Sequence, residues 1–397
     1  MPSRQLIYLS GLWLLFSLVA SEQPSLAQGR LPSSVSAAID MQPLEPGEYL
    51  YVVHKRILFA TNRNIVQPAA SNKRGASLVI DEIFSASRSP LLAYGWLEVG
   101  YPSDRQLAEQ NYYSAYSFSP GPNSFKYFSI ERFGFVSSRV AAGNLARDPR
   151  FDARARSLAY VHGINESFRD GAERLTQLVA DLDVKGVPLL FSWPADQTPV
   201  TPFTLNRTAA EAYRTTLGTA KKSELSLRQS IDDFLSDRGD HFDVVAHSMG
   251  TLVAFDVLTE RVPISPTNQD PLSPIDVAPN IVLAAPDIGM KDFASAREAL
   301  VNKARRLTIY CGQDRALVLS KLVNRDDRLG YCGEPKQQKD YMEGVEFIRV
   351  WGSYRDLFNH SYYINTPQII TDMRRALFGK QPDEIARLPY REIFLNQ

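Results

Sequence analysis

The chain has 397 residues, and 44% of them are hydrophobic, so it can bury the core of one large domain or of two smaller ones. Its 44 basic residues balance its 44 acidic residues, and no basic run or acidic tail interrupts that balance. This composition argues against nucleic acid or a polycation as the partner, and against capture of a ligand by long-range charge steering.

The first 27 residues have the pattern of an export signal. Arg4 precedes a mostly apolar stretch over 6–20, and Pro24 is followed by a small-x-small cleavage pattern over 25–27. The apolar stretch is short for a membrane span. We therefore expect a signal peptide over 1–27, a mature chain with no integral membrane span, and a periplasmic or secreted location. The alternative is a protein held to the membrane by an uncleaved N-terminal segment.

After a polar lead-in over 28–48, predicted strands alternate with predicted helices. Short apolar strands between longer helices are typical of crossover units in a mainly parallel sheet with helices on both faces. We expect one α/β domain over 49–397, with N-terminal strands and an elaboration over 49–150 and the main core over 151–380. The sequence leaves open the structure of residues 104–135, which are rich in Tyr, Phe, Ser and Pro. The predicted strands are 49–59, 91–99, 157–161, 187–193, 242–247, 281–285, 306–311 and 345–350, and the predicted helices are 168–182, 225–235 and 366–377.

Ser248 stands where the buried strand 242–247 passes directly into a helical apolar pattern. This context is typical of a nucleophile elbow, in which a tight turn pushes the serine hydroxyl out above the sheet. Neighbouring backbone approaches closely there, so small residues are needed two positions before and after the serine. Ala246 and Gly250 occupy those positions. We predict that Ser248 is a nucleophile; the alternative is an ordinary turn in which Ser248 caps the helix.

A serine hydroxyl needs a base to take its proton and a carboxylate to orient that base. The chain order serine, acid, histidine indicates His360, which follows the last strand of the core. His247 adjoins the serine, and we expect its side chain to point away. Asp314 is the favoured acid because it follows the second predicted strand after the elbow, 306–311. Asp287, which follows the first, 281–285, is the alternative acid. The carboxylate that is not used is expected to cap the following helix.

An oxyanion in this reaction needs two backbone N–H donors held ready. We predict that Met249, which follows the nucleophile, supplies one of them and that Ile164 supplies the other. Gly163 would allow the backbone to turn close to the substrate, and the side chain of Asn165 is a further candidate donor. The alternative is that residues 162–163 form a plain strand-to-helix turn.

Cys311 and Cys332 are the two cysteines of the chain. An even number of cysteines in an exported protein predicts one disulfide, which would enclose Asp314. The alternative is two buried free thiols. The two cysteines and five histidines do not cluster with metal-ligand spacing, so we expect no metal site and no cofactor.

Six segments carry a family resemblance. In chain order they are FATNR over 59–63, YGWLEV over 94–99, YVHGINESF over 160–168, VPLLFSWP over 187–194, VAHSMG over 245–250 and APD over 285–287. Together they resemble a bacterial α/β-hydrolase family catalogued as a domain of unknown function and labelled esterase/lipase superfamily. The resemblance runs from Leu58 to Leu377 and implies an α/β-hydrolase fold with no settled substrate. In such relatives a tyrosine and an aspartate precede the helix before the elbow; Tyr213 matches the tyrosine, but Thr216 replaces the aspartate.

These features predict an exported serine hydrolase, esterase-like or lipase-like, that cleaves small-molecule carboxylic esters through an acyl-enzyme. One alternative is a thioester, amide or peptide hydrolase with the same triad. Another is a non-catalytic, hydrolase-like binding protein of the cell envelope, because a fold alone does not fix a function. Residues 196–213 and 112–135 are candidates to cover the site.

Overall fold

The computed structural model describes residues 36–37, 52–66, 80, 82–102, 128–195, 207–235, 242–259, 279–332, 343–351, 360–379 and 390–394. These residues belong to one contact unit, Ser34–Gln397. The predicted signal peptide over 1–27, most of the lead-in and most of the two candidate covering segments lie outside the described residues.

A single sheet organises the described part of the chain, and its eleven strands lie in the order β1-β4-β3-β2-β6-β5-β7-β8-β9-β10-β11. In the spatial order β2-β6-β5-β7-β8-β9-β10-β11, every neighbouring pair is parallel. At the other edge of the sheet, the pairs β1–β4, β4–β3 and β3–β2 are antiparallel. The strands are β1 Ser36–Ala37, β2 Val52–Ile65, β3 Phe84–Pro102, β4 Ser129–Val136, β5 Ser157–Val161, β6 Pro188–Ser192, β7 Phe242–His247, β8 Asn280–Ala284, β9 Arg306–Gly312, β10 Glu346–Trp351 and β11 Tyr390–Phe394.

Helices connect the parallel strands. In the described residues they are α1 Arg139–Ala146, α2 Phe168–Leu182, α3 Arg207–Leu235, α4 Gly250–Leu258, α5 Met290–Lys303, α6 Arg315–Asn324, α7 Tyr362–Asn365 and α8 Pro367–Phe378. Helix α2 has the predicted bounds because its signals are local. Ser167 accepts from the Asp170 N–H, and the Asp170 side chain accepts from the Ser167 N–H, which closes a capping box. Asp183 ends the helix in a left-handed conformation.

Two elements begin far from their predicted starts. Helix α3 begins at Arg207 instead of 225, because its first half is polar and its apolar spacing is weak; Tyr213 therefore lies inside this helix and does not precede it. Strand β3 begins at Phe84 instead of 91, where it extends a long hairpin with β2. Strand β4 lies at the end of the segment 104–135, whose structure the sequence left open, and pairing with β3 stabilises it.

The core occupies both faces of the sheet. Along β5, Ala159 and Val161 pack in one apolar cluster, while Leu158 and Tyr160 pack in the other. Successive side chains of a strand point to opposite faces, so continuous apolar strands are the expected result of helices on both sides. The predicted mainly parallel sheet with helices on both faces is confirmed.

The strand directions decide where the candidate residues lie. Parallel strands end at the same edge of a sheet, and ligands bind in α/β proteins outside these carboxyl ends. The loops after β5, β7, β8 and β9 carry Gly163, Ser248, Asp287 and Asp314, and His360 lies between β10 and α7. The sheet therefore brings the predicted residues to one edge.

Candidate active site

Ser248 lies in the turn between β7 and α4 with a φ of 52°. This left-handed conformation is strained for a residue with a side chain, and such strain clusters at functional sites. The Ser248 N–H donates to Ala284 O at 3.0 Å, which anchors the turn to the neighbouring strand β8. Met249 occupies the cap position of α4, and no side chain caps that helix. The alternative interpretation of Ser248 as a helix cap was therefore wrong.

Two glycines allow the loop after β5 to press against this turn. A Cβ on Gly250 would lie 2.2 Å from His162 O, and a Cβ on Gly163 would lie 2.9 Å from Ser248 Cβ. Side chains at these positions would force the backbone apart. Gly250, the small residue two positions after Ser248, thus faces the loop after β5, which was predicted to hold the second oxyanion donor.

The N–H of Met249 lies at the amino end of α4. The first N–H groups of a helix have no acceptor within the helix and form a partial positive charge, which suits an oxyanion. On the opposite loop, Asn165 has a φ of 58°, and its N–H donates to Ala195 O at 2.9 Å. That bond commits the backbone donor of Asn165 and leaves Ile164, one residue earlier, as the candidate from this loop.

Asp314 and His360 are in direct contact. Asp314 is completely buried, and its Oδ2 lies 2.5 Å from Nδ1 of His360. Its Oδ1 accepts from the N–H groups of Ala316 and Leu317 at 2.9 and 3.2 Å, so the same side chain caps α6. A carboxylate only accepts, so the His360 hydrogen lies on Nδ1, and the neutral ring carries its lone pair on Nε2.

Asp287 has other partners. Its Oδ1 accepts from Arg328 Nε at 2.7 Å and from Ser320 Oγ at 2.5 Å, and its Oδ2 accepts from Tyr213 OH at 2.7 Å. These donors occupy both carboxylate oxygens. Helix α5 has Gly289 at its cap position, so Asp287 does not cap the helix that follows it. The ion pair with Arg328 and the hydroxyl groups of Ser320 and Tyr213 hold the Asp287 side chain.

The Asp287 loop nevertheless supports the elbow. Its backbone N–H donates to Ser248 O at 3.2 Å. Tyr213, which matches a tyrosine of the resembled family, reaches this carboxylate from α3, whereas the hydroxyl of Thr216 donates to Ala212 O within the helix. Tyr213 thus links α3 to the loop that underlies the predicted nucleophile.

A buried polar cluster lies behind Ser248, and the sequence did not reveal it. Glu166 Oε1 lies 3.0 Å from Arg174 Nε and 3.4 Å from His247 Nδ1. Burial raises the pKa of Glu166, but the charge of Arg174, followed by the contacts with His247 and His162, outweighs it and lowers the pKa to about 2. Burial also lowers the pKa of His247 to about 4. Glu166 stands between Asn165 and Ser167 in a mostly polar loop, so nothing in the sequence signalled its burial.

The predicted disulfide is present. Cys311 is the penultimate residue of β9, Cys332 lies 21 residues later, and their Cα atoms are 5.4 Å apart. The alternative of two free thiols was wrong. The Cys332 N–H also donates to Gly312 O at 3.2 Å, so the bridge fixes residues 328–332 beside the strand that leads to Asp314.

In the described part of the chain, no group of three or more His, Cys, Asp and Glu side chains is arranged to hold a metal ion. No helix among those residues has the length and apolar character that a membrane span requires.

Comparison with known proteins identifies a family. A family model described as "Alpha/beta hydrolase of unknown function (DUF900)" matches residues 140–380. Among solved structures, an esterase B from Lactobacillus rhamnosis inhibited by a tributyrin phosphonate aligns at 12% identity and a TM-score of 0.32, covering 69% of this chain and 87% of that one. The bacterial brefeldin A esterase aligns at 10% identity and a TM-score of 0.21, covering 90% and 72%. Structural similarity at these identities and TM-scores gives no information about the chemistry of the chain. No curated protein sequence matches it.

Proposed function

Since the chain belongs to the family of α/β hydrolases of unknown function that its motifs resemble, we propose that it is an exported serine hydrolase that cleaves small carboxylic esters. One observation carries the proposal: the buried contact between Asp314 and His360, on the sheet edge where a strained turn holds Ser248. That contact also favours an enzyme over a non-catalytic binding protein, because an orienting carboxylate serves a base.

In the proposed mechanism Ser248 Oγ attacks the ester carbonyl while His360 Nε2 takes its proton. Asp314 accepts from His360 Nδ1, which selects the working tautomer and stabilises the imidazolium that forms. The N–H groups of Met249 and Ile164 bind the oxyanion of the tetrahedral intermediate. His360 then gives the proton to the leaving alcohol, and the acyl-enzyme remains. Water, activated by the same histidine, releases the carboxylic acid and regenerates Ser248.

Export is supported by the disulfide between Cys311 and Cys332, because such bonds persist in oxidising compartments. The predicted signal peptide over 1–27 would direct the chain there. Its cleavage is tested by sequencing the N-terminus of protein recovered from the exported fraction. A mature N-terminus at Gln28 is expected, and a protein that retains 1–27 would instead be anchored by that segment.

The central test uses a fluorophosphonate probe and a panel of chromogenic esters with graded acyl length. The wild-type protein should be labelled at Ser248 and should hydrolyse at least one ester. Ser248→Ala should abolish labelling and lower kcat on the order of a millionfold. Ser157→Ala is the matched control: Ser157 is also buried and hydrogen-bonded, but it lies at the opposite end of β5.

Labelling of the Ser248→Ala variant equal to wild type would end the proposal. Turnover of thioesters or amides in preference to every ester would keep the triad and replace the substrate class. A wild-type protein that neither reacts with the probe nor hydrolyses any substrate would favour the non-catalytic binding protein.

A further inference from the structure

His247 precedes Ser248, and the proposed mechanism gives it no role although it is almost completely buried. Its ring contacts three parts of the site. His247 Nε2 lies 3.2 Å from His360 O, and His247 Nδ1 lies 3.4 Å from Glu166 Oε1. The Tyr363 ring stacks on it at 4.4 Å between centroids. One side chain therefore joins the elbow, the base segment and the loop after β5.

The contact with His360 has a defined direction. A carbonyl oxygen only accepts, so His247 Nε2 carries the hydrogen and donates it. Burial lowers the pKa of His247 to about 4 although Glu166 opposes the shift, so the ring is neutral at pH 7. With its hydrogen on Nε2, the ring turns Nδ1 toward Glu166 Oε1 at 3.4 Å, where Nδ1 forms no hydrogen bond among the described residues. His247 is thus a neutral donor whose single hydrogen is directed at the backbone of the proposed base.

Glu166 lies against the other side of the ring. It lies in the loop that carries Ile164, its carboxylate pairs with Arg174 of α2, and its backbone O accepts from Arg63 of β2 at 2.7 Å. Both arginines come from elements of the scaffold and not from the site. The loop is therefore tied to rigid parts of the fold, and His247 packs against its buried carboxylate.

We propose that His247 is a positioning residue, which holds the backbone of His360 in register with the elbow while the loop of Glu166 packs on the opposite side of the same ring. The proposal rests on the proposed function, since it states how that site is kept in its working geometry. His360 then has two anchors: Asp314 fixes its imidazole, and His247 fixes its carbonyl. Loss of either anchor lets the base move, and displacement by about 1 Å costs on the order of a hundredfold in rate.

Two variants separate the donor from the volume of the ring. His247→Gln offers an amide N–H close to the position of Nε2, whereas His247→Leu fills the space without a donor. We expect His247→Leu to lower kcat on the order of a hundredfold with KM changed by less than about twofold. His247→Gln should stay within about fivefold of wild type. Tyr94→Phe is the control, because it removes a hydrogen bond to Asp233 of α3 in which no proposed site residue takes part, and it should leave kcat unchanged.

A second readout does not depend on turnover. The proton between His360 Nδ1 and Asp314 should give a downfield proton NMR signal, which Asp314→Asn assigns by its loss. His247→Leu should shift or remove this signal, and His247→Gln should keep it. Should the leucine variant fail to fold, His247→Asn replaces it, because its amide lies near Nδ1 and does not reach the His360 carbonyl.

The outcomes are distinguishable. An unchanged signal and an unchanged kcat in the variant without a donor would overturn the positioning role, and so would a glutamine variant as impaired as the leucine variant. If the wild-type protein shows no hydrolysis and no probe labelling, the proposed function fails. The NMR comparison then decides the positioning role by itself: a signal lost only without the donor supports it, and an unchanged signal refutes it.

Discussion

The two oxygens of Asp314 are expected to serve two purposes, and one substitution separates them. Oδ1 accepts from the N–H groups of Ala316 and Leu317, and Oδ2 accepts from His360 Nδ1. In Asp314→Asn the side-chain oxygen must stay with the helix, because two N–H donors face it. The amide nitrogen is then directed at His360. An amide N–H donates, so it selects the ring tautomer with the hydrogen on Nε2, which cannot take a proton from Ser248.

The expected magnitudes differ for catalysis and for stability. Holding the wrong tautomer should lower kcat on the order of ten-thousandfold, equivalent to about 5 kcal/mol of transition-state stabilisation. The free energy of unfolding should change little in Asp314→Asn, because the cap of α6 is kept. Asp314→Ala loses the cap as well, and we expect a further loss of about 1 kcal/mol in unfolding free energy.

Asp287→Asn is the matched comparison. It weakens the buried pair with Arg328, and breaking such a pair costs about 3–5 kcal/mol of stability, but kcat should fall far less than in Asp314→Asn. The assays are ester hydrolysis at saturating substrate and urea unfolding of the same preparations. A kcat within tenfold of wild type for Asp314→Asn, or a greater loss of kcat for Asp287→Asn, would refute the assignment of the acid.

Three further predictions concern the scaffold. The double variant Cys311→Ala/Cys332→Ala opens a loop of 21 residues and should lower the unfolding free energy by about 3 kcal/mol in urea titrations; an unchanged midpoint would contradict this. Gly250→Ala places a Cβ 2.2 Å from a backbone oxygen and should destabilise the fold by about 1–3 kcal/mol. Gly218→Ala, with open space around it on α3, is the control and should stabilise the fold by about 0.5–1 kcal/mol. Similar values for the two variants in thermal unfolding would show that the close approach at Gly250 is relieved without cost. Burial lowers the pKa of His247 from 6.5 to about 4, against the opposing charge of Glu166. As the pH falls, the unfolded chain therefore binds this proton before the folded chain does. About 3 kcal/mol of unfolding free energy should be lost between pH 6.5 and pH 4. His247→Gln should remove that part of the pH dependence, and identical slopes in the two proteins would exclude it.

Signals between close neighbours in the sequence determined much of the fold. Strands β5 and β7 and helix α2 have the predicted bounds, because an apolar run that ends at a turn and a capping box are local patterns. The elbow around Ser248 was predictable for the same reason: a tight turn requires small residues at fixed spacing, and these are visible in the chain. The alternation of strands and helices gave the mainly parallel sheet and therefore the shared edge at which the candidate residues lie.

Tertiary structure decided the questions that depend on distant partners. Asp287 and Asp314 both follow parallel strands, so the sequence left both as candidate acids; only the fold places Arg328 against one and His360 against the other. The same holds for Glu166, whose neighbours come from α2 and β7. The start of α3 and the whole of β4 also depend on packing against other elements. A hydrogen bond or a buried ion pair acts over a few ångströms in space, and residues far apart in the chain acquire such neighbours only when the chain folds.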